Sequence, residues 1–251
     1  MADLQLNNRH EKYRDFDFSD CLFPEYFEKE VHCEKSKKSP RTYRDPFLLS
    51  KLEGMKLTPI YCMPVIEPYN GNLPSELITF SKARAEFNDG IRSSACPCFY
   101  MDDESFLCAV KKPDNYLNML LQHPQVIGLD MSIQMDMPYA TKVHNLFVNK
   151  LWTRYMQMKG CRMIANIVWA EPRLYDIAFD GFPSDSIVAV NSMGIKGNRT
   201  SQYFWLKGYE EMLKRLNPCH IVRYGEPIYG EDESISTYYA NNHLNRMRYG
   251  R

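Results

Sequence analysis

Four short apolar segments between residues 126 and 226 constrain the fold of this chain more than any other feature. They are rich in β-branched residues, they do not alternate strictly between apolar and polar side chains, and each one ends in a polar cluster. The segments cover residues 126–130, 163–169, 186–191 and 220–225. Near-continuous apolar runs of this length are typical of β-strands that are covered on both faces.

Helical patterns separate these strands. The clearest one covers residues 138–159, with Pro138 near its start and Gly160 after its end, as is usual for a helix. Apolar side chains recur there every four residues, at Val143, Phe147, Leu151 and Tyr155. A second pattern covers residues 201–216, and a shorter one covers 173–179. Strands that alternate with helices in this way predict a parallel sheet with right-handed crossovers.

We predict an α/β fold with a mainly parallel sheet of about six strands and helices on both faces, counting weaker strand signals near residues 60 and 98. Two arrangements are open, a three-layer sheet and an incomplete barrel. The three-layer sheet is the first choice, because a closed barrel of eight strand–helix units takes about 250 residues. We assign residues 1–56 to an irregular arm rich in aromatic and charged side chains, 57–230 to a single α/β domain and 231–251 to a polar C-terminal tail.

The charge balance gives no reason to expect a partner that binds by bulk electrostatic attraction. Of the 251 residues, 31 are Lys or Arg and 31 are Asp or Glu, so the formal net charge is zero. No segment approaches the run of about 18 apolar residues that a membrane span needs, and the N-terminus lacks the features of a secretory signal. The eight cysteines are scattered rather than spaced as a disulfide framework. These observations predict a protein of the cytoplasm.

Polar residues follow each of the four apolar segments, at the ends where ligands bind in sheets of this kind. They are Asp130 and Ser132, then Asn166, Trp169 and Glu171, then Asn191, Ser192 and Gly194, and finally Tyr224 and Gly225. Asp130 and Glu171 are the catalytic candidates, because carboxylates in one pocket can serve as general acid and base or hold a divalent cation. The alternative for Asp130 is a helix cap. Trp169 is either a core residue or an aromatic platform for a base or sugar.

The segment 191–199 suggests a binding loop for an anion. It follows a strand, precedes a helix and contains Gly194, Lys196 and Arg199, so its backbone amides could face a phosphate. It does not have the Walker A or dinucleotide spacing, and an ordinary connecting loop is the alternative. Cys96, Cys98 and Cys108 lack the spacing of a zinc knuckle, so we assign no metal site.

Several short motifs also resemble one known family. They are Asp136-Met137-Pro138 with Asn145 and Asn149, the segment 166–171, Phe179-Asp180-Gly181, Ser192-Met193-Gly194 and Tyr224-Gly225. In this order they resemble the domain of unknown function 4417 family of phages, mobile elements and bacteria, over roughly residues 120–226. The WGD and FDGI motifs of the family read Trp169-Ala170-Glu171 and Phe179-Asp180-Gly181-Phe182 here. The family has no assigned activity, so the resemblance implies a bacterial host cell and a site, but no reaction.

Together these observations support two main hypotheses. The first is a hydrolase or transferase that acts on a phosphate-bearing or nucleotide-like ligand, with a divalent cation left open as cofactor. The second is a non-catalytic protein that sequesters such a ligand or docks a host protein, and a DNA-binding accessory role comes third. The sequence does not decide whether the protein is an enzyme or what its oligomeric state is. The candidate ligand-binding residues are Ser132, Asp136, Asn149, Asn166, Trp169, Asp180, Asn191, Ser192, Gly194, Lys196, Arg199, Tyr224 and Gly225.

Overall fold

A computed structural model of the protein describes residues 48–239. The strands are β1 (Leu77–Thr79), β2 (Cys96–Cys98), β3 (Val126–Ile127), β4 (Met163–Asn166), β5 (Ile187–Asn191), β6 (His220–Tyr224) and β7 (Ser236–Tyr239). The α-helices are α1 (Phe80–Asn88), α2 (Leu107–Lys111), α3 (Leu117–Leu120), α4 (Tyr139–Met158), α5 (Tyr175–Ala178) and α6 (Arg199–Leu216). Short 3-10 turns lie at Leu49–Leu52, Asp103–Ser105, Pro113–Tyr116 and Pro172–Leu174.

The strands lie side by side in the order in which they occur along the chain. Strands β3 to β7 form one parallel sheet, β1 pairs with β2 in parallel, and β2 lies next to β3. The α/β class and the mainly parallel sheet are therefore confirmed. Right-handed crossovers between successive strands place their helices on the same side of the sheet. A chain order without reversal is typical of a barrel, whereas an open doubly wound sheet reverses its order at one point.

Different parts of the chain pack against the two faces of the sheet. Side chains from all seven strands pack together on the inner face, without a residue from the described helices. They are Leu77, Cys96, Cys98, Ile127, Ile164, Ile187, Ala189, Val222, Tyr224 and Tyr239. Within residues 48–239 the helices cover only the outer face, whereas helices on both faces were expected. The Tyr239 hydroxyl donates to the Pro74 carbonyl at 2.5 Å and so links β7 to the segment before β1. Among the described residues, the incomplete barrel is thus the better description.

Helix α4 covers the outer face beside β3 and β4. Its residues Leu151, Trp152 and Met156 are buried in one apolar cluster with Val126 and Met163. Burial of each such side chain contributes about 1.5–3 kcal/mol to stability. The Trp152 indole also donates to the Ala109 carbonyl at 3.1 Å, so this bulky ring leaves no unmet donor in the core. The predicted helix over 138–159 is confirmed.

Helix α6 covers the outer face beside β5 and β6. Its start is fixed by Asn198, whose side chain accepts hydrogen bonds from the backbone of Thr200 and Ser201 at 2.9 and 3.2 Å. It ends at Asn217, which has a φ of 46° and so turns the chain out of the helix. The predicted helix over 201–216 is confirmed with a slightly earlier start.

Three segments differ from their predicted structure. Strand β1 was not predicted. The proline-rich segment 57–68, interpreted as an edge strand or an extended segment, contains a single bridge between Leu57 and Pro64. Strand β7 lies within residues 231–251, which were assigned to a tail, because its backbone completes the hydrogen bonds of the β6 edge. Most of the predicted N-terminal arm lies outside the described residues. No helix in residues 48–239 is long and apolar enough to cross a membrane.

Candidate functional site

A cavity of about 500 Å³ opens at the carboxyl ends of β2 to β6, and we call it the C-terminal cavity. Its lining includes Tyr100, Asp102, Ser105, Asp130, Ser132, Ile133, Gln134, Ile167, Trp169, Asn191, Met193, Ile195, Trp205 and Tyr224. Five of these residues were predicted as site residues, namely Asp130, Ser132, Trp169, Asn191 and Tyr224. This volume is in the range of sites for small organic ligands.

Two asparagine side chains hold the Asp130 carboxylate at the cavity wall. The Nδ2 of Asn166 donates to Asp130 Oδ1 at 2.8 Å, and the Nδ2 of Asn191 donates to Asp130 Oδ2 at 3.1 Å. The Tyr100 hydroxyl donates to Asn166 Oδ1 at 3.0 Å, and the Met193 amide donates to Asn191 Oδ1 at 2.8 Å. Each amide is therefore fixed with its N–H side toward Asp130. These bonds tie the ends of β3, β4 and β5 together.

The surroundings of Asp130 favour its protonated form more than water does. Desolvation raises its pKa from 3.8 to about 6, against the opposing effect of the Asn166 and Asn191 hydrogen bonds, and the negative charge of Asp103 adds to the rise. Within residues 48–239, the cavity lining contains the carboxylates Asp102 and Asp130 and no Lys or Arg. Asp130 thus combines a raised pKa with a described cavity lining that holds no cation.

Residues of α4 and of the segment after β2 brace the loop that follows Asp130. The Met131 amide donates to Asn149 Oδ1 at 2.9 Å, and Asn145 Nδ2 donates to the Ser132 carbonyl at 2.7 Å. The Ser132 hydroxyl and amide donate to Asp103 at 3.0 and 3.2 Å. The structure thus places Asn149 behind the cavity wall, where it supports the loop and does not line the cavity.

Aromatic rings form one wall of the C-terminal cavity. Trp169 and Trp205 lie 5.5 Å apart at 50°, and the Trp169 indole donates to the Trp205 carbonyl at 3.1 Å. The Trp169 ring lies on Gly208 in the middle of α6, where an added Cβ would come within 2.0 Å of it. Tyr100 and Tyr224 stack with centroids 4.7 Å apart. These contacts hold the rings in place, as a rigid platform requires.

Glu171 does not line the C-terminal cavity, although the sequence paired it with Asp130 as a catalytic candidate. It accepts hydrogen bonds from the buried Lys142 ammonium at 2.7 Å and from Arg173 at 2.8 Å. Desolvation opposes its ionisation, but the hydrogen bonds from Lys142 and Arg173 prevail and lower its pKa. Lys142 also donates to the Met135 carbonyl at 2.8 Å. This geometry suits a structural ion pair between α4 and the loop after β4.

Asp180 and Asp136 lie outside the cavity lining as well. Asp180 accepts a hydrogen bond from the Thr58 hydroxyl, and desolvation raises its pKa despite the neighbouring Lys150 charge. Lys150 itself is buried and donates to two carbonyls at the end of α5, at 2.9 and 3.0 Å. Asp136 is exposed in the turn before α4. Asp180 therefore holds the segment at Thr58 and does not contact the cavity.

The segment 192–199 reaches the cavity only through its apolar side chains, Met193 and Ile195. Lys196 is exposed and forms an ion pair with Glu226, and Arg199 is exposed at the first turn of α6. Gly194 has a φ of 76°, which the turn requires. The Asn198 side chain already accepts from two backbone amides at the start of α6, so these amides are not free for an anion.

Ser192 and Gly225 support the ends of β5 and β6. The Ser192 hydroxyl donates to the Glu226 carbonyl at 2.7 Å and is buried. Gly225 has a φ of 95°, and a Cβ there would approach the Ser192 oxygen to 2.7 Å. Only glycine suits such a conformation and such a close contact. Both residues therefore shape the cavity floor without lining it.

Sequence reasoning missed four residues that build the site, Tyr100, Asp103, Trp205 and Gly208. Tyr100 and Asp103 follow β2. The strand signal of β2 is weak, so the residues after it were not considered as part of the rim. Trp205 lay in a helix pattern that was read as a packing face. Gly208 carried a usable signal, since an isolated glycine inside a helix commonly marks a close contact. No group of three or more His, Cys, Asp or Glu side chains within residues 48–239 is arranged to hold a metal ion.

Comparisons with known proteins support the family resemblance of the sequence motifs. A family model described as "Domain of unknown function (DUF4417)" matches residues 55–240. The Gene 1 protein of Mycobacterium phage L5 is 31% identical over 137 residues, which is 55% of this chain and 60% of that protein. The Gene 1 protein of Mycobacterium phage D29 is 30% identical over 137 residues, or 55% and 51%. The chain thus spans less than two thirds of either relative. No solved structure matches. The chain belongs to the DUF4417 family.

Proposed function

We propose that this protein binds a small nucleotide-like ligand in the C-terminal cavity and that Asp130 exchanges a proton with it. The observation that carries this proposal is the state of Asp130, which lines the cavity, is held by two oriented amides and has a pKa of about 6. A general acid or base works best when its pKa is near the operating pH. The reaction class that fits is hydrolysis or group transfer.

Helix capping does not account for Asp130. Its hydrogen bonds come from side-chain amides at the ends of β4 and β5, not from backbone amides at the start of α4. A buried carboxylate with a purely structural role is usually paired with a cation, and the described lining provides none. These features support a role toward a ligand.

The charge of the lining determines where a phosphate group would lie. Asp102 and Asp130 would repel a phosphate inside the cavity. Lys196 and Arg199 follow the lining residue Ile195 on the loop outside, and there they could face a phosphate. We therefore place the ring of a nucleotide-like ligand in the cavity and its phosphate end toward this loop.

A non-catalytic sequestering role is the second candidate. The Trp169 ring, which Trp205 holds in place, favours it, because a fixed aromatic surface binds a planar ligand at low entropic cost whether or not a reaction follows. In this case Asp130 would act as a hydrogen-bonding group and would not transfer a proton.

Native mass spectrometry of protein purified from bacterial cells tests both candidates. We expect wild-type protein and the Glu171→Gln variant to carry the same small molecule, and the Asp130→Asn variant to lack it or to hold it unconverted. Incubation of each protein with a small-molecule extract distinguishes the two roles, because only an enzyme changes the composition of the extract. The proposal is overturned if wild-type protein carries no ligand, converts nothing and behaves like the Asp130→Asn variant.

A further inference from the structure

We propose that the C-terminal cavity recognises its ligand through two adjacent N–H donors on a planar group, which the two oxygens of Asp130 accept together. A guanine base and a guanidinium or amidinium group share this chemistry. The inference rests on the proposed function, since it specifies the ligand of the same cavity.

The hydrogen bonds of Asp130 leave two acceptor sites, one on each oxygen. An ionised carboxylate offers about four lone-pair sites. Asn166 uses one on Oδ1, and Asn191 uses one on Oδ2. Because both amides are oriented by other donors, they cannot turn their own oxygens toward Asp130. A ligand that approaches from the cavity therefore meets a carboxylate with one free lone pair per oxygen, and a pair of parallel N–H groups matches it.

The rest of the lining selects for a flat ligand with few negative charges. Asp102 is the second ionisable acid in the described lining, and no Lys or Arg accompanies it. The half-buried Trp169 indole presents aromatic surface at the cavity, whereas the buried Trp205 ring already packs against Tyr209 and the Arg223 guanidinium. A ring such as that of Trp169 can stack on a base or attract a guanidinium group. Charge and shape thus both favour a donor-rich planar group over a phosphate or a carboxylate.

Protonation of Asp130 would change what it recognises. The protonated acid presents one donor beside one acceptor, which suits the edges of adenine or cytosine instead. Asp130 interacts electrostatically with Asp103, Tyr100 and Cys98, and Asp102 lines the same cavity. None of these groups is a cation. We therefore expect recognition of two donors above pH 6, where Asp130 is ionised.

Calorimetric titration at pH 7.5 tests the inference with guanosine, inosine and adenosine, and with benzamidine as the amidinium probe. Inosine lacks the amino group of guanosine, and adenosine lacks both adjacent donors. We expect guanosine or benzamidine to bind at least about tenfold more tightly than inosine and adenosine, since a hydrogen bond to a charged group contributes about 1.5–3 kcal/mol. Whether guanosine or benzamidine binds more tightly identifies the source of the donor pair.

Two variants separate the acceptor pair from general electrostatics. Asp130→Asn replaces one acceptor with a donor, and we expect at least about tenfold weaker binding of the preferred probe. Asp102→Asn removes the same charge from the same cavity, and we expect it to weaken binding less than Asp130→Asn does and to keep the order of the probes. Wild-type protein supplies a test without mutation, because its affinity for the preferred probe should fall as the pH is lowered from 7.5 to 5.

The inference is overturned if adenosine binds as tightly as guanosine and benzamidine, or if Asp102→Asn and Asp130→Asn weaken binding equally. It is also overturned if none of the probes binds. In that case the proposed function still stands if wild-type protein carries a cellular ligand that the Asp130→Asn variant lacks. Conversely, a guanosine complex that never changes chemically supports the inference and removes the catalytic part of the proposed function.

Discussion

Asp130 and Glu171 are both acids beyond the end of an apolar strand, yet the structure gives them opposite surroundings. Asp130 is held by neutral amides and its pKa is raised to about 6, whereas Glu171 is paired with Lys142 and Arg173 and its pKa is lowered. The Asp130 carboxylate lines a cavity, whereas the Glu171 carboxylate joins the loop after β4 to α4. The comparison teaches that the partner of an acid, and not its place after a strand, decides whether it is available for a ligand.

The largest expected effect concerns the Glu171 ion pair. Glu171→Ala leaves the fully buried Lys142 ammonium without its carboxylate, so we expect the free energy of unfolding to fall by about 3 kcal/mol or more. Urea denaturation measures this change. The control, Glu171→Gln, keeps an acceptor for Lys142 and should lose less. A stable Glu171→Ala protein that no longer binds ligand would show that Glu171 belongs to the cavity after all.

The second-largest effect is the change of stability with pH, which should have opposite signs for Asp130 and Glu171. The pKa of Asp130 is about 6 in the folded chain and near 3.8 when unfolded, so the folded state binds the extra proton between these values. The contribution to stability is complete below pH 4 and is lost as the pH rises through 6. We expect wild-type protein to lose about 2–3 kcal/mol relative to Asp130→Asn between pH 4 and 7, as measured by urea denaturation at each pH. Parallel curves for the two proteins would contradict the raised pKa.

Glu171 gives the opposite sign, because its pKa is lowered in the folded state. Its contribution to stability is present above its unfolded pKa and is lost as the pH falls through the folded value. Comparison of wild-type protein with Glu171→Gln over the acid range should therefore show wild-type stability rising with pH, while the comparison with Asp130→Asn shows it falling.

Gly208→Ala tests the wall between the two acids. The added Cβ would overlap the Trp169 ring, which belongs to the loop that leads to Glu171. We expect a loss of about 1–3 kcal/mol in stability from overpacking, together with weaker ligand binding and a shifted tryptophan emission. Gly197→Ala is the control, because an added Cβ there meets nothing within 4 Å. Unchanged emission in Gly208→Ala would mean that Trp169 is not fixed by this contact.

Arg173→Ala should have the smallest effect. The Arg173 side chain is 65% exposed, unlike Lys142, so its bond to Glu171 is screened by water and salt. We expect a change of less than about 1 kcal/mol in the free energy of unfolding. A loss as large as that of Glu171→Ala would mean that the exposed partner, and not the buried one, holds the carboxylate.

Local patterns predicted most of the second half of the fold. Apolar runs and helical spacing identified strands β3 to β6 and helices α4 and α6, because a strand or helix covered by others needs a long apolar pattern of its own. Strand β1 has one buried residue and β7 is only half-buried, so neither needs the near-continuous apolar run that marks the buried strands β3 and β4. Strands β1 and β7 are the edge strands, and their positions decide between an open sheet and a barrel. The sequence therefore did not settle that choice either.

The candidate site divides in the same way. The sequence by itself determined that Asp130, Asn166, Asn191 and Tyr224 would meet at one rim, because the carboxyl ends of parallel strands share one edge. Only the tertiary structure decided that Glu171 turns to Lys142 and that Tyr100 and Trp205 enter the cavity. The physical reason is that strand order fixes which backbone ends are neighbours, whereas the direction of a loop side chain depends on contacts with residues distant in the chain, such as that of Trp169 with Gly208.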